Sequence, residues 1–183
     1  MRTRQRWLGW GFAGLFGALA AGVSLAQTND FGLESAGFRF GIGGNESADD
    51  FRQAEAFVTC YTPWRTEFGK GWLLRPRLDL SAGWIADHHD DGLIASLGPT
   101  AVLSYGRFPV SLELGISPTL ISRSEYRTVN LGGPFEFTSH LGANWDFARH
   151  FRLGYSYQHM SNAGISQHNP GLNLHMFSLS YLF

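Results

Sequence analysis

The feature that most constrains this chain is a strict alternation of apolar and polar residues, clearest from Trp72 to Trp84. The even-numbered positions there are apolar or proline, and the positions between them carry Arg75, Arg77 and Asp79. A period of two is typical of a β-strand with one apolar face. A strand of this length, tilted as in membrane barrels, covers roughly 30 Å. Because the apolar face begins and ends in tryptophan, the pattern predicts a strand that crosses a membrane.

The alternation recurs along the chain and predicts eight strands in all. In the last of them Phe177, Leu179, Tyr181 and Phe183 share one face, which resembles the C-terminal strand of bacterial outer-membrane barrels. Since no apolar helix span follows the N-terminal segment, a membrane-embedded chain must close into a barrel. We therefore predict an all-β fold, an eight-stranded antiparallel transmembrane β-barrel of the bacterial outer membrane. The predicted strands are residues 32–42, 52–62, 72–85, 94–105, 109–121, 134–147, 151–161 and 173–183.

The inner face of the predicted barrel is charged, and its strands contain prolines. An eight-stranded barrel is just wide enough for side chains to fill it, so the charges predict a closed network rather than a transport pore. Pro76, Pro99 and Pro118 lack the N–H that a ladder needs, which predicts bulges or shifted strand ends. The charges predicted inside are Arg39, Arg75, Arg77, Arg152, Glu55, Asp79, Glu113 and Glu136.

The N-terminus has the features of a secretory signal. Arginines precede an apolar stretch at residues 7–20, and Ser24-Leu25-Ala26 offers small residues for cleavage. We predict a signal peptide at residues 1–26 and a single barrel domain at residues 27–183. A formal net charge of −1 gives no basic surface for nucleic acid. Short links after the even-numbered strands fit a barrel with both termini in the periplasm, although the predicted link 63–71 is long.

One segment near the C-terminus departs from simple alternation. His159 and Ser161 are two residues apart on the seventh predicted strand, so they share the lipid-facing side with Tyr155 and Tyr157. A serine hydroxyl needs a neighbouring base to become nucleophilic, and histidine is the usual base near neutral pH. Because the seventh strand runs outward, the pair lies at the height of the outer leaflet. This position predicts an esterase site for a lipid, although polar residues are also common where strands leave a membrane.

The run His159-Met160-Ser161-Asn162-Ala163-Gly164, followed by Asn169-Pro170-Gly171 and a final strand, resembles the PagL family of lipid A 3-O-deacylases. The resemblance implies an outer-membrane hydrolase that removes the ester-linked 3-hydroxyacyl chain at position 3 of lipid A in lipopolysaccharide, without a cofactor or metal. It implies that His159 is the general base and Ser161 the nucleophile. The residues that it places around the oxyanion are Asn162, Gly164 and Asn169.

Asn173 stands where the best-known members of that family have a glutamate that orients the histidine. An asparagine carbonyl can accept a hydrogen bond from the imidazole and fix its tautomer, but it cannot stabilise an imidazolium by charge. No Asp or Glu follows Asp146 in the sequence. The resemblance therefore implies that Asn173 orients His159. It also implies either that turnover is slower than with a glutamate or that an outer loop supplies the missing carboxylate.

Other interpretations remain open from the sequence alone. The loop after the third predicted strand contains His88-His89-Asp90-Asp91, which could coordinate a divalent metal, although a solvated loop tip is the other interpretation. His159, His168 and His175 could form a three-histidine zinc site on paper. A non-catalytic barrel with a structural or adhesion role is the alternative from another class. Within enzymes, a phospholipase or acyltransferase of the outer leaflet is the alternative. The sequence leaves the oligomeric state open, a homodimer included.

Overall fold

A computed structural model describes residues 24–27, 31–44 and 48–183 of the chain. The predicted signal peptide lies outside these residues except for its last three, which begin the first strand. No helix in the described part of the chain is long and apolar enough to cross a membrane. The strands are β1 Ser24–Gln27, β2 Gly32–Gly43, β3 Arg52–Tyr61, β4 Trp64–Phe68, β5 Trp72–Ala86, β6 Asp91–Tyr105, β7 Val110–Ile121, β8 Phe135–Ala148, β9 Phe151–Ser161 and β10 Leu172–Leu182.

Eight of these strands form a closed antiparallel barrel, as the alternation predicts. The order around the barrel is β2, β3, β5, β6, β7, β8, β9 and β10, and β10 pairs back onto β2 through Phe177 and Phe40. Seven of the eight predicted strands begin and end within a residue of the observed bounds. The fourth predicted strand begins at Asp91 rather than at residue 94, because β6 pairs with β5 as far as Ala86.

The long periplasmic link predicted at residues 63–71 is wrong. Residues 64–68 form β4, which pairs with the first residues of β5 and continues the line of β3 after an interruption. Thr62 lies in that interruption, and its hydroxyl donates to the Pro76 carbonyl at 2.6 Å. The remaining turn is only 69–71, so this link matches the short ones at 106–109 and 149–150.

The prolines disturb the ladders without moving the strand ends. Pro76 lies in β5 near the break between β3 and β4. Pro99 and Pro118 lie where the β6–β7 pairing stops after Ser96 and resumes at Thr100 in the same register. The predicted bulges or shifted strand ends are confirmed only at Pro76, where the register on β5 shifts between Tyr61 and Thr66. At Pro99 and Pro118 neither a bulge nor a shifted strand end occurs, because each missing N–H affects only one side of its strand.

The two faces of the barrel wall differ as predicted. Large apolar side chains cover the outside, including Trp84, Leu141 and Leu114, which are about 60% exposed. Inside, Arg39 pairs with Glu55 and Asp79 at 2.9 and 2.6 Å. The other lumen ion pairs join Arg77 to Glu113 and Glu34, and Arg152 to Glu34 and Asp146.

Two residues of the predicted charged interior lie apart from these pairs. Arg75 stacks on the ring of Tyr61. Glu136 is buried, and no ion pair of the described residues includes it. The interior charges are thus mostly paired, which supports a filled lumen.

An apolar cluster closes the outer end of the barrel. Phe51 from the β2–β3 link packs edge-on against Tyr126 from the β7–β8 link, with ring centroids 4.9 Å apart. Met160 and Leu172, which face inward at the ends of β9 and β10, belong to the same cluster. Burial raises the pKa of Tyr126 to about 12. The candidate site on β9 and β10 is therefore built on a packed base rather than on free loops.

Candidate active site

The register of β9 and β10 places His159 directly opposite Asn173. His159 Nδ1 lies 2.7 Å from Asn173 Oδ1. Because an amide oxygen only accepts hydrogen bonds, Nδ1 carries the proton and Nε2 holds the lone pair. The structure thus brings the two residues together in the tautomer that a general base requires.

Ser161 is the last residue of β9, on the same outward side as His159. It lies opposite Phe137 of β8 and is half-buried, whereas the His159 side chain is exposed. The Cα atoms of strand residues two apart are roughly 6 to 7 Å apart. No hydrogen bond of the described residues joins the Ser161 hydroxyl to the imidazole. Catalytic hydrogen bonds are often long in proteins without bound substrate, so this does not argue against the pair.

Asn162 organises the loop that follows Ser161. The residue is 1% exposed, and its Nδ2 donates to the carbonyls of Leu131 and His168 at 2.9 and 2.7 Å. Its Oδ1 accepts from the Gly164 backbone N–H at 3.0 Å. Both amide protons of Asn162 are therefore used for loop structure, and the same bonds occupy the Gly164 N–H.

The next residues form a tight turn in left-handed backbone conformations. Ala163 has φ 54° and Gly164 has φ 80°, and the Ile165 N–H donates to the Asn162 carbonyl at 3.0 Å. Asn169 Oδ1 accepts from the Asn162 N–H at 3.1 Å, which joins both ends of the loop. A non-glycine residue in this conformation is strained and is held by its surroundings. The turn fixes the backbone immediately after Ser161.

Two glycines allow close packing around the site. A Cβ atom on Gly171 would lie 2.9 Å from Cε1 of His159, so the imidazole rests against the Gly171 backbone. A Cβ atom on Gly132 would lie 2.7 Å from Asn162 Nδ2. Gly132 and Leu131 belong to the β7–β8 link, which the sequence did not assign to the site. The glycine pair at residues 132–133 was the one local sequence feature that could have indicated a close approach of this link to the site.

The metal interpretations find no support in the side-chain geometry. Among the described residues, no group of three His, Cys, Asp or Glu side chains could hold a metal ion. His175 directs Nδ1 to the Tyr155 hydroxyl at 2.8 Å, whereas His159 directs Nδ1 to Asn173. The three-histidine arrangement is therefore not assembled.

The run His88-His89-Asp90-Asp91, together with Asp87 before it, forms a structural turn at the β5–β6 link. Asp87 Oδ1 accepts from the backbone N–H groups of His89 and Asp90 at 2.8 and 2.6 Å. Slight burial acts to raise the pKa of Asp87, but these hydrogen bonds hold it below its usual value. Asp90 pairs with Arg123 of the β7–β8 link at 2.9 Å. The carboxylates thus connect two outer links.

The closed antiparallel barrel with an apolar outer wall defines the class of an outer-membrane β-barrel protein. The family model described as Lipid A 3-O-deacylase (PagL) matches residues 52–182, and the chain belongs to this family. It is 28% identical to the lipid A deacylase PagL of Bordetella bronchiseptica over 172 residues, which cover 91% of each chain. The crystal structure of the outer membrane enzyme PagL superimposes with a TM-score of 0.68 at 20% identity, covering 80% of this chain and 97% of that one.

Proposed function

We propose that this protein is a hydrolase of the bacterial outer membrane that removes the ester-linked 3-hydroxyacyl chain from position 3 of lipid A. Ser161 is the nucleophile, His159 is the general base and Asn173 orients His159. The observation that carries this proposal is the 2.7 Å contact between His159 Nδ1 and Asn173 Oδ1. It leaves the basic nitrogen of an outward-facing imidazole available beside a serine at the outer-leaflet end of β9.

The reaction proceeds through an acyl-enzyme. Ser161 Oγ attacks the ester carbonyl carbon while His159 Nε2 takes the hydroxyl proton. The tetrahedral intermediate collapses, the bond to the sugar oxygen breaks, and His159 returns the proton to that oxygen. Water then attacks the acyl-serine with His159 again as base, which releases the 3-hydroxy fatty acid and restores Ser161.

Asn169 and the turn after Ser161 provide the donors for the developing oxyanion. Asn169 uses its Oδ1 to hold the Asn162 N–H, and no described hydrogen bond uses its Nδ2. The Ala163 N–H is likewise without a partner among the described hydrogen bonds. Donors fixed before the reaction stabilise an oxyanion most effectively. Asn162 and Gly164 support this arrangement by shaping the turn, because their own polar groups are already bonded to each other and to the loop.

Asn173 fixes the imidazole without adding a negative charge. In the usual serine triad a carboxylate both orients the histidine and stabilises the imidazolium. The carboxamide performs the first task through Oδ1 and lacks the second. We therefore expect turnover no higher than that of a variant with a carboxylate at this position.

The position of the site on the outer wall determines how a substrate arrives. Tyr155, Tyr157, Phe177 and Leu179 lie membrane-ward of the site and are each between about 40% and 50% exposed. This apolar wall is covered by acyl chains of the outer leaflet, so a lipid reaches Ser161 without leaving the membrane. Lipid A is the ester-bearing lipid that the family relationship assigns to the chain.

The test is mass spectrometry of lipid A after incubation with the purified barrel in detergent micelles. We expect loss of one 3-hydroxyacyl group from position 3, at the same rate with or without a metal chelator. Phospholipid in place of lipid A should give little release of fatty acid. Faster hydrolysis of phospholipid would support the phospholipase alternative, and no hydrolysis of either would support a non-catalytic barrel.

A further inference from the structure

A second polar pair lies on the outer wall, membrane-ward of His159. The Tyr155 hydroxyl is 2.8 Å from His175 Nδ1, and the two rings are stacked. The register places His175 opposite Tyr157, one outward-facing position further along β10 than Asn173. Ionisable side chains in contact with lipid are costly and usually functional. The pair therefore needs an explanation that the chemistry at Ser161 does not give.

His175 has one ring nitrogen left for a ligand. Its Nδ1 is bonded to Tyr155, and among the described residues Nε2 has no hydrogen-bond partner. The space beside Nε2 exists because residue 44 is glycine: a Cβ atom there would lie 3.2 Å from Nε2. The Gly44 N–H donates to the Asn173 carbonyl at 2.9 Å, which holds this backbone beside the histidine. A small polar group can therefore approach Nε2 from the wall.

The direction of β10 relates this space to the substrate. When an ester carbonyl is at Ser161, the acyl chain extends along the wall toward the membrane centre. The His175 Cα lies in that direction, level with Tyr157 and about 7 Å along the strand from Asn173. Its Nε2 lies nearer the site, because it faces Gly44, whose backbone bonds the Asn173 carbonyl. Beyond His175 the outward positions are Phe177 and Leu179, which are apolar. His175 is thus the polar position on β10 that an acyl chain meets just after its carbonyl.

We propose that His175, held by Tyr155, binds the 3-hydroxyl group of the acyl chain that is removed. This inference rests on the proposed function, and it concerns which chain is chosen rather than how the ester is cleaved. The hydroxyl is on the second carbon beyond the carbonyl, and the rest of the chain is apolar. A hydroxyl both donates and accepts, so it bonds Nε2 in either tautomer of His175. His175 is therefore a specificity-determining residue.

The experiment is a competition between two lipid A molecules that differ only at position 3. One carries a 3-hydroxyacyl chain and the other an unsubstituted acyl chain of the same length. The purified protein in detergent micelles acts on an equal mixture, and mass spectrometry gives the ratio of the two released fatty acids. This ratio does not depend on the amount of active protein. One hydrogen bond corresponds to a preference of about tenfold for the 3-hydroxyacyl chain in the wild type.

Three variants test the assignment. His175→Phe keeps a ring but removes the nitrogens, and its ratio should fall to about one. His175→Gln keeps a donor and an acceptor and should retain most of the preference. The matched control is His150→Phe at the other end of the barrel, where His150 stacks on Tyr181; its ratio should equal that of the wild type.

The outcomes separate this inference from the proposed function. A wild type that releases both chains equally, or a His175→Phe variant that keeps the preference, overturns the role of His175. A wild type that releases neither chain contradicts the proposed function instead. If His175→Phe does not fold, Tyr155→Phe replaces it, because it removes only the hydroxyl that holds the imidazole. A ratio unchanged in Tyr155→Phe would then overturn the inference.

Discussion

The paired arginines of the lumen and the polar side chains at the outer end of the wall differ in what they contact. In the lumen, Arg39 bonds both Glu55 and Asp79 and is largely shielded from solvent. On the wall, the exposed residue His159 bonds Asn173 through Nδ1, and no described hydrogen bond uses its Nε2. The lumen charges therefore hold the barrel together, whereas the wall residues have a hydrogen-bonding position left for a substrate.

The largest effect that separates the two regions should come from Ser161→Ala. The change removes the nucleophile and little volume from a half-buried position at a strand end. We expect turnover of lipid A to fall by at least about a thousandfold, because removal of a serine nucleophile abolishes the acyl-enzyme route. The measurement is the deacylated fraction of lipid A in membranes that contain equal amounts of folded protein. Equal deacylation by both proteins would exclude Ser161 as nucleophile.

The lumen should respond in stability instead. Arg77→Met leaves Glu113, which Arg77 contacts at 2.6 Å, without its buried partner. We expect a loss of about 3 to 5 kcal/mol in the free energy of unfolding. Arg75→Met is the control, because Arg75 stacks on Tyr61 and should cost only about 1 kcal/mol. Urea unfolding in lipid vesicles measures both. Similar losses in the two variants would show that the lumen pairs do not stabilise the barrel.

Asn173 should affect turnover and not stability. Asn173→Leu removes the acceptor for His159 Nδ1, so the imidazole loses its orientation and tautomer. We expect a decrease in kcat on the order of a hundredfold. Asn173→Glu adds the missing charge and should match or exceed the wild type. Both barrels should keep the wild-type difference in gel migration between boiled and unboiled samples. Full activity of the leucine variant would assign the orienting role to another residue.

The smallest effect tests whether the β7–β8 link positions the site. Gly132 has φ 93°, and a Cβ atom there would meet the His168 carbonyl oxygen and Asn162 Nδ2. Gly132→Ala should therefore lower kcat several-fold by displacing the loop after Ser161. Gly133→Ala is the matched control, since nothing lies within 4 Å of its added Cβ. If the two variants have the same kcat, the link does not position the site.

The barrel could be predicted because its strands follow a local rule. Alternation determines which face each side chain occupies. It therefore predicts that His159 on β9 and Asn173 on β10 share the outward face, and the two residues are paired in the structure. The interruption between β3 and β4 was not predicted, because residues around Pro63 break the alternation that identifies strands. Residues 64–68 are a strand because they pair with β5, and this pairing cannot be inferred from their own sequence.

For the candidate site, the sequence named the candidate residues but not all of their contacts. Asn162 was assigned near the oxyanion, yet its amide protons bond the carbonyls of Leu131 and His168. The path of the β7–β8 link decides the first of these contacts, and that path depends on packing against distant residues such as Phe51. No periodicity in the sequence reports such packing, so the support of the site from this link could not be predicted.

The central claim is that Ser161 is the nucleophile of an ester hydrolase, and covalent labelling tests it most directly. The active protein is treated with a long-chain fluorophosphonate, which reacts with activated serines, and the labelled peptide is identified by mass spectrometry. We predict one phosphonyl group on Ser161 and a loss of lipid A deacylation in proportion to the label. Full deacylation by protein labelled at Ser161, or inactivation with the label on another residue, would contradict the account.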